Sequence, residues 1–201
     1  MTEPKEGYIK FNCIWMQDDP LDSVKLRDLI FWRNRLFKSG LIGVYPDGIG
    51  FGNISCRLRD SFEFIVSGTQ TGHLEYADEN HFCLINQFDL GKNEVHCIGP
   101  VKASSESMTH AACYISSDEI KVVMHVHHKQ LWQRLKNVAP TSSSEISYGS
   151  PRMAMEVKHL IQSQKMSEGI IVMAGHEDGI IVIGKSFASA FQLLEREMGN
   201  S

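Results

Sequence analysis

Residues 125–128 read His-Val-His-His and follow directly on the apolar run Ile120-Lys-Val-Val-Met124. On a β-strand alternate residues share a face, so His125 and His127 present both imidazoles to one side and Val126 to the other. Two imidazoles on a rigid strand supply half of a tetrahedral metal site; the alternative is that they are only the polar end of a buried strand. Glu106 stands upstream at the start of a helical pattern. A carboxylate there can ligate a cation or act as a general base, or simply favour the helix dipole from the first turn. His110, one turn further on, shares that face and is an alternative ligand. Nearer the C-terminus, Gly175-His176-Glu177-Asp178-Gly179 lies between two apolar runs. It reads either as a turn that brings a third imidazole to the cation or as a charged hairpin tip.

Anion chemistry has its own candidates. Ser104 and Ser105 precede the Glu106 helix, where free N–H groups and hydroxyls can hold a phosphate or serve as plain caps. Ser67-Gly68-Thr69 follows a strand and either offers donors to an anion or closes a hairpin. The glycines of Gly48-Ile-Gly-Phe-Gly-Asn53 do not make a dinucleotide loop, since neither Gly48 nor Gly50 begins a G-x-G-x-x-G.

These residues need elements to hold them. A weakly alternating strand is expected over Ile9–Trp15, then a turn at Asp18-Asp19-Pro20. A helix follows, carrying Leu26, Leu29, Ile30, Trp32, Arg33, Leu36 and Phe37, and stops at Ser39-Gly40. Gly43–Gly52 reads as a loop feeding a hairpin of Ile54–Leu58 with Phe62–Val66. Strands are expected at His81–Asp89 and Glu94–Ile98, a serine-capped helix at Glu106–Ile115, and a strand at Ile120–Val126. A polar segment, Lys136–Ser150, leads to a helix at Pro151–Gln164, two apolar strands at Gly169–Ala174 and Gly179–Ile183, and a last helix at Ser186–Met198. Hairpin junctions outnumber strand-helix-strand crossovers, which favours a largely antiparallel or mixed sheet with helices on its faces.

The 201 residues carry a formal net charge of −4 and a pI near 6.1. Lys and Arg are scattered, so the basic footprint of a nucleic-acid binder is missing. With 42% hydrophobic and 22% charged residues, one globular domain over residues 1–201 is expected. Met1–Glu6 lacks the cationic-then-apolar order of a secretory signal, and no apolar run approaches the about 20 residues of a membrane span, so a cytoplasmic protein away from the membrane is expected. Cysteines 13, 56, 83, 97 and 113 form no C-x-x-C pair and are expected as buried thiols.

Taken in chain order, the chain carries Gly52-Asn53-Ile54-Ser55, Ser67-Gly68, Ala103-Ser104-Ser105-Glu106 and His125-Val126-His127. Tyr148-Gly149-Ser150-Pro151 and a segment from His176 through Gly184 into an alanine-bearing helix complete the set. The set resembles the class II aldolase/adducin family, whose best-known members are fuculose-phosphate aldolase and ribulose-phosphate epimerase. The resemblance covers residues 22–196. It implies an α/β fold, a three-layer α/β/α arrangement with a central, mostly antiparallel sheet, assembled as a homo-tetramer with active sites at subunit interfaces. It also implies a divalent metal, usually Zn2+, held by His125, His127 and a later histidine. By position, Gly52, Asn53, Ser67, Gly68, Ser104 and Ser105 match the residues that hold the substrate phosphate. Glu106 matches the acidic residue that ligates the metal and, once substrate displaces it, shuttles the proton. The implied activity is that of a metal-dependent lyase, acting on a small phosphorylated sugar or hydroxy-carbonyl compound through a metal-stabilised enediolate. No Schiff-base lysine is signalled, and Lys102 and Lys121 read as solvated charges.

Three departures from the family pattern carry expectations of their own. The chain is shorter between His127 and Tyr148, so the segment that supplies a catalytic tyrosine to a neighbouring subunit has no counterpart. It also ends at Ser201, soon after the last helix, so a longer C-terminal tail is not expected. The family places its last histidine immediately before a glycine, whereas here Asp178 precedes Gly179 and His176 lies further back. A longer turn makes His176 the third ligand; otherwise Asp178 takes that place. His176 is favoured because it keeps an all-imidazole set, and His128 is read as a solvated strand end. The rival functions are dehydration, epimerisation or decarboxylation on the same scaffold, and a non-catalytic interaction domain like the adducin head.

Overall fold

A computed structural model describes residues 7–59 and 61–199. Met1–Glu6, read above for a signal, and the two ends of the 1–201 span lie outside the described residues. In chain order the elements are β1 (Asn12–Gln17), α1 (Ser23–Lys38), β2 (Gly43–Val44), β3 (Gly50–Phe51), β4 (Asn53–Arg57), β5 (Phe64–Ser67), β6 (Phe82–Asp89) and β7 (Glu94–Gly99). They continue with α2 (Ser107–Ser116), β8 (Val122–His127), α3 (Lys129–Leu135), α4 (Pro151–Ser163), β9 (Gly169–Val172), β10 (Gly179–Gly184) and α5 (Phe187–Gly199).

Eight strands form one sheet in the order β1-β7-β6-β5-β4-β8-β10-β9, while β2 and β3 pair only with each other. Neighbours in the large sheet run antiparallel, except for β1 beside β7 at the edge. Helices cover both faces. Met108 and Ala111 of α2 and Met153 and Val157 of α4 pack on one side with Val123, Ile171 and Ile181. Leu26, Leu29 and Leu36 of α1, Leu131 of α3 and Leu194 of α5 pack on the other with Val122, Met124 and Val126. The expected three-layer α/β/α architecture with a mostly antiparallel sheet is therefore present.

Helix α1 shows how the sequence sets these layers. Asp22 caps it by accepting the Val24 N–H at 2.9 Å, and its leucines recur at helical spacing on the sheet-facing side. Burying each leucine stabilises the fold by about 1.5–3 kcal/mol. The helix stops at Ser39 and Gly40, the latter at φ +70°.

Several expectations need correction. Strand β1 starts at Asn12 rather than Ile9. The Gly43–Gly52 loop contains the small β2–β3 ribbon. Helix α3 was not anticipated; its N-cap is His128, whose Nδ1 accepts the Leu131 N–H at 3.1 Å, so His128 is a capping residue and not a solvated strand end. Helix α2 has no serine side-chain cap. Its N-cap is Glu106, and the Ser104 carbonyl takes the Ser107 N–H at 3.0 Å. Cys83, Cys97 and Cys113 are buried and Cys13 and Cys56 partly so, all of them free. No helix among the described residues is long and apolar enough to cross a membrane.

Candidate metal centre

Strand β8 lies between β4 and β10, with Asn53 and Ile181 opposite His125 and Gly179 opposite His127. That register sets the turn between β9 and β10 against the end of β8 and so brings in His176. One ligating atom from each of His125, His127 and His176 lies within 4.8 Å of the others. His125 Nε2 and His127 Nε2 are 3.1 Å apart, close to the about 3.3 Å between neighbouring ligands of a tetrahedral zinc ion with 2.0–2.1 Å bonds. The three residues are buried, at 1%, 5% and 6% exposure. Burial, reinforced by His127 and His176, pushes the His125 pKa well below the ordinary histidine value and keeps that ring neutral, the form that binds metal. The other nitrogens are engaged as well: His125 Nδ1 lies 3.3 Å from the Ile180 carbonyl, and His127 Nδ1 lies 2.7 Å from Tyr45 Oη. These donors fit a divalent cation.

The β9–β10 turn is closed by the Met173 N–H to the Gly179 carbonyl and the Gly179 N–H to the His176 carbonyl, both at 3.0 Å. Glycine is required at both of its ends by close approach. A Cβ on Gly175 would lie 1.9 Å from the Ile146 carbonyl oxygen, and one on Gly179 would lie 2.9 Å from Cγ of the His176 ring. Tyr148 stacks on that ring at 4.6 Å. Lys10, from the segment ahead of β1, donates to the Tyr148 carbonyl at 2.8 Å and sits 3.8 Å over its ring.

Beside His125 is a narrow polar hollow whose lining includes Gly52, Asn53, Gly68, Ser104, Ser105 and Glu106. Its walls meet through the Gly68–Ala103 bridge and a 2.9 Å bond from the Thr69 N–H to the Lys102 carbonyl. Arg33 of α1, itself buried, holds the far wall by donating to the carbonyls of Leu74 and, at 2.7 Å, Thr71. Burial lowers its pKa to about 10, which leaves it charged at neutral pH. The buried Asn53 Oδ1 has no protein hydrogen-bond partner, so its amide keeps bonding capacity for a ligand in the hollow. Glu106 is 2% exposed and its Oε2 accepts from Thr109 Oγ1 at 2.9 Å.

Of the residues singled out in the sequence, His125, His127 and His176 converge, and Glu106, Gly52, Asn53, Gly68, Ser104 and Ser105 share the adjoining hollow. Ser67 does not line it; its Oγ accepts the Ile54 N–H at 3.2 Å between strands. His110 lies in the core with Nδ1 2.6 Å from Ser55 Oγ, outside the cluster. Asp178 is also outside the cluster, and its carbonyl accepts the His128 N–H at 3.0 Å. Thr69, read with Ser67 and Gly68 as an anion candidate, lines the hollow. Tyr45, Lys10 and Thr71 were not singled out as site residues, since they reach the site through tertiary contacts.

A family model described as the class II aldolase and adducin N-terminal domain matches residues 46–196. Among solved structures the chain is similar to L-fuculose 1-phosphate aldolase, with a TM-score of 0.67 and 18% identity over 90% of this chain and 84% of that one. It is similar to YgbL from Klebsiella pneumoniae, described as a candidate aldolase/epimerase/decarboxylase, with a TM-score of 0.65 and 19% identity over 88% and 86%. The L-fuculose-1-phosphate aldolase from Thermus thermophilus gives 0.58 and 16% over 85% and 84%. At such identities the likeness shows the fold. No curated protein matches the chain in sequence. The extent of the family match and the shared fold together decide the assignment: the chain belongs to the class II aldolase and adducin N-terminal domain family.

Proposed function

We propose that this chain, a single domain over residues 1–201, is a metal-dependent lyase of the aldolase type acting on a small phosphorylated sugar or hydroxy-carbonyl compound. One observation carries the reading: three buried imidazoles converge beside a polar hollow, and His125 and Glu106 both line that hollow. His125, His127 and His176 hold the cation, and Zn2+ best suits three neutral nitrogens. When bound, the cation supplies Lewis-acid stabilisation of negative charge developing on a carbonyl oxygen. The hollow takes the phosphate through hydroxyls and N–H groups at Gly52, Asn53, Gly68, Ser104 and Ser105, with Ser67 ordering the strand pair behind them. Glu106 orients on the cation and moves the proton, and the Thr109 hydroxyl steadies its second oxygen. Burial of the whole group keeps water away from the reacting carbon.

We further place the protein in the cytoplasm as a homo-tetramer with sites at subunit interfaces. The exposed apolar Ile14 and Met16 on edge strand β1 support assembly. Epimerisation or decarboxylation uses the same charge stabilisation and is the second reading, favoured by the description of the YgbL neighbour.

The test is plasma mass spectrometry of protein purified without added metal or affinity tag, then turnover of metal-loaded protein on a panel of phosphorylated ketoses and hydroxy acids. Near-stoichiometric metal with aldehyde release supports the lyase. Lack of metal even after zinc reconstitution overturns it in favour of an interaction domain.

A further inference from the structure

A cation shared by His125 Nε2 and His127 Nε2 leaves neither atom a proton, so each neutral ring must carry its proton on Nδ1. His125 meets that requirement at the Ile180 carbonyl, which can only accept. For His127 the corresponding partner is a side-chain hydroxyl, Tyr45 Oη at 2.7 Å, brought from 82 residues away in the chain. We propose that Tyr45 is a positioning residue of the metal centre: in the metal-bound form its hydroxyl accepts the Nδ1–H of His127 and holds the ring at the angle that aims Nε2 at the cation. This inference rests on the reading of the histidines as metal ligands.

The β2–β3 ribbon is the device that delivers the hydroxyl. The Tyr45 N–H bonds the Ile49 carbonyl at 2.8 Å, and the Gly48 N–H bonds the Tyr45 carbonyl at 2.9 Å, closing a tight turn through Pro46 and Asp47. The Tyr45 ring packs on Phe51 at 4.7 Å, and Phe51 in turn lies 5.2 Å from the His127 ring. Ring and backbone therefore hold the phenol in place independently of its hydroxyl.

The partner's chemistry has consequences. A neutral phenol raises the basicity of a ligating imidazole less than a carboxylate would, which leaves more positive charge on the cation. A hydroxyl also turns to donate when His127 carries its proton on Nε2, so one residue serves both tautomers.

The test measures zinc affinity of metal-stripped protein by competition with a chromogenic chelator, together with the visible absorption of the cobalt form. Wild type, Tyr45→Phe and, as a control phenol, the exposed Tyr76→Phe are compared. Tyr45→Phe is expected to bind zinc about 10- to 100-fold more weakly and to alter the cobalt bands. Its melting temperature without metal should fall by only a few degrees, the share of one hydrogen bond, because the ring still packs on Phe51. Equal affinity in wild type and Tyr45→Phe, or an equal loss in Tyr76→Phe, overturns the proposal and leaves the metal centre standing. Failure of wild type to bind either ion overturns both.

Discussion

His110 and His125 are both buried and both held neutral, yet their partners differ in kind. His110 Nδ1 faces Ser55 Oγ at 2.6 Å, and Ser55 faces Tyr114 Oη at 2.7 Å. Each hydroxyl in that row can turn to give or to take, so these contacts at Nδ1 satisfy themselves, while His110 Nε2 is buried without a hydrogen-bond partner. His125 Nε2 instead faces His127 Nε2 at 3.1 Å, with the His176 ring 4.9 Å from that of His125. Two imidazole lone pairs attract each other only through a proton or a cation between them. Burial is common to both regions, so burial does not distinguish a ligand from a core histidine. Convergence of like atoms does.

The comparison can be broken most sharply by removing one group at a time. The His125→Ala/His127→Ala variant should lose essentially all bound metal, while His110→Gln keeps it at the wild-type level; loss of metal in both, measured by plasma mass spectrometry, would erase the distinction. Glu106→Gln should retain metal but lower turnover by about 10²–10⁴-fold on whichever substrate the screen identifies. An unchanged rate would make Glu106 a structural acid. In the core, His110→Ala should cost about 1–3 kcal/mol in denaturant unfolding, because Ser55 is left without one partner. Zinc affinity should not follow.

The pH dependence of stability sharpens the same contrast. Burial holds the His110 pKa at about 3, against about 6.5 in an unfolded chain. As pH falls the unfolded state takes up this proton first, so the contribution is neutral above about pH 6.5. Stability then declines by up to about 1.4 kcal/mol per pH unit towards pH 3. Urea midpoints of His110→Gln should lack that share of the decline. The smallest effect is expected for Tyr114→Phe, about 1 kcal/mol for one buried hydroxyl hydrogen bond, with no change in metal content.

The sequence revealed those parts of the molecule that follow a local period. Alternation along β8 put His125 and His127 on one face, and the leucines of α1 marked its buried side. The β4–β5 hairpin was readable because apolar runs flank a turn. Helix α3 was not, since its seven residues make about two turns and its cap is a histidine, a type without a strong capping signal. Helix α2 begins without a side-chain cap, so the preceding serines pointed to the right place for the wrong reason. The remaining misses are long-range. Tyr45 sits among glycines and Pro46, where no alternation announces that Gly43 and Val44 pair with Phe51 and Gly50. Lys10 reaches Tyr148 across 138 positions of sequence, and Arg33 holds Thr71 from another element. No window of neighbouring residues contains such contacts.

The two glycines that bracket the β9–β10 turn bear on how a mutational scan of this protein should be interpreted. Adding a single carbon at Gly175 forces it against the Ile146 backbone, and thus against the segment that carries Tyr148; adding one at Gly179 drives the His176 ring away. An alanine library scored only for lost activity would rank both beside the histidines, although neither contributes a functional group. Scores from a second library read out by metal retention and solubility would separate residues that do the chemistry from those whose smallness makes room for it.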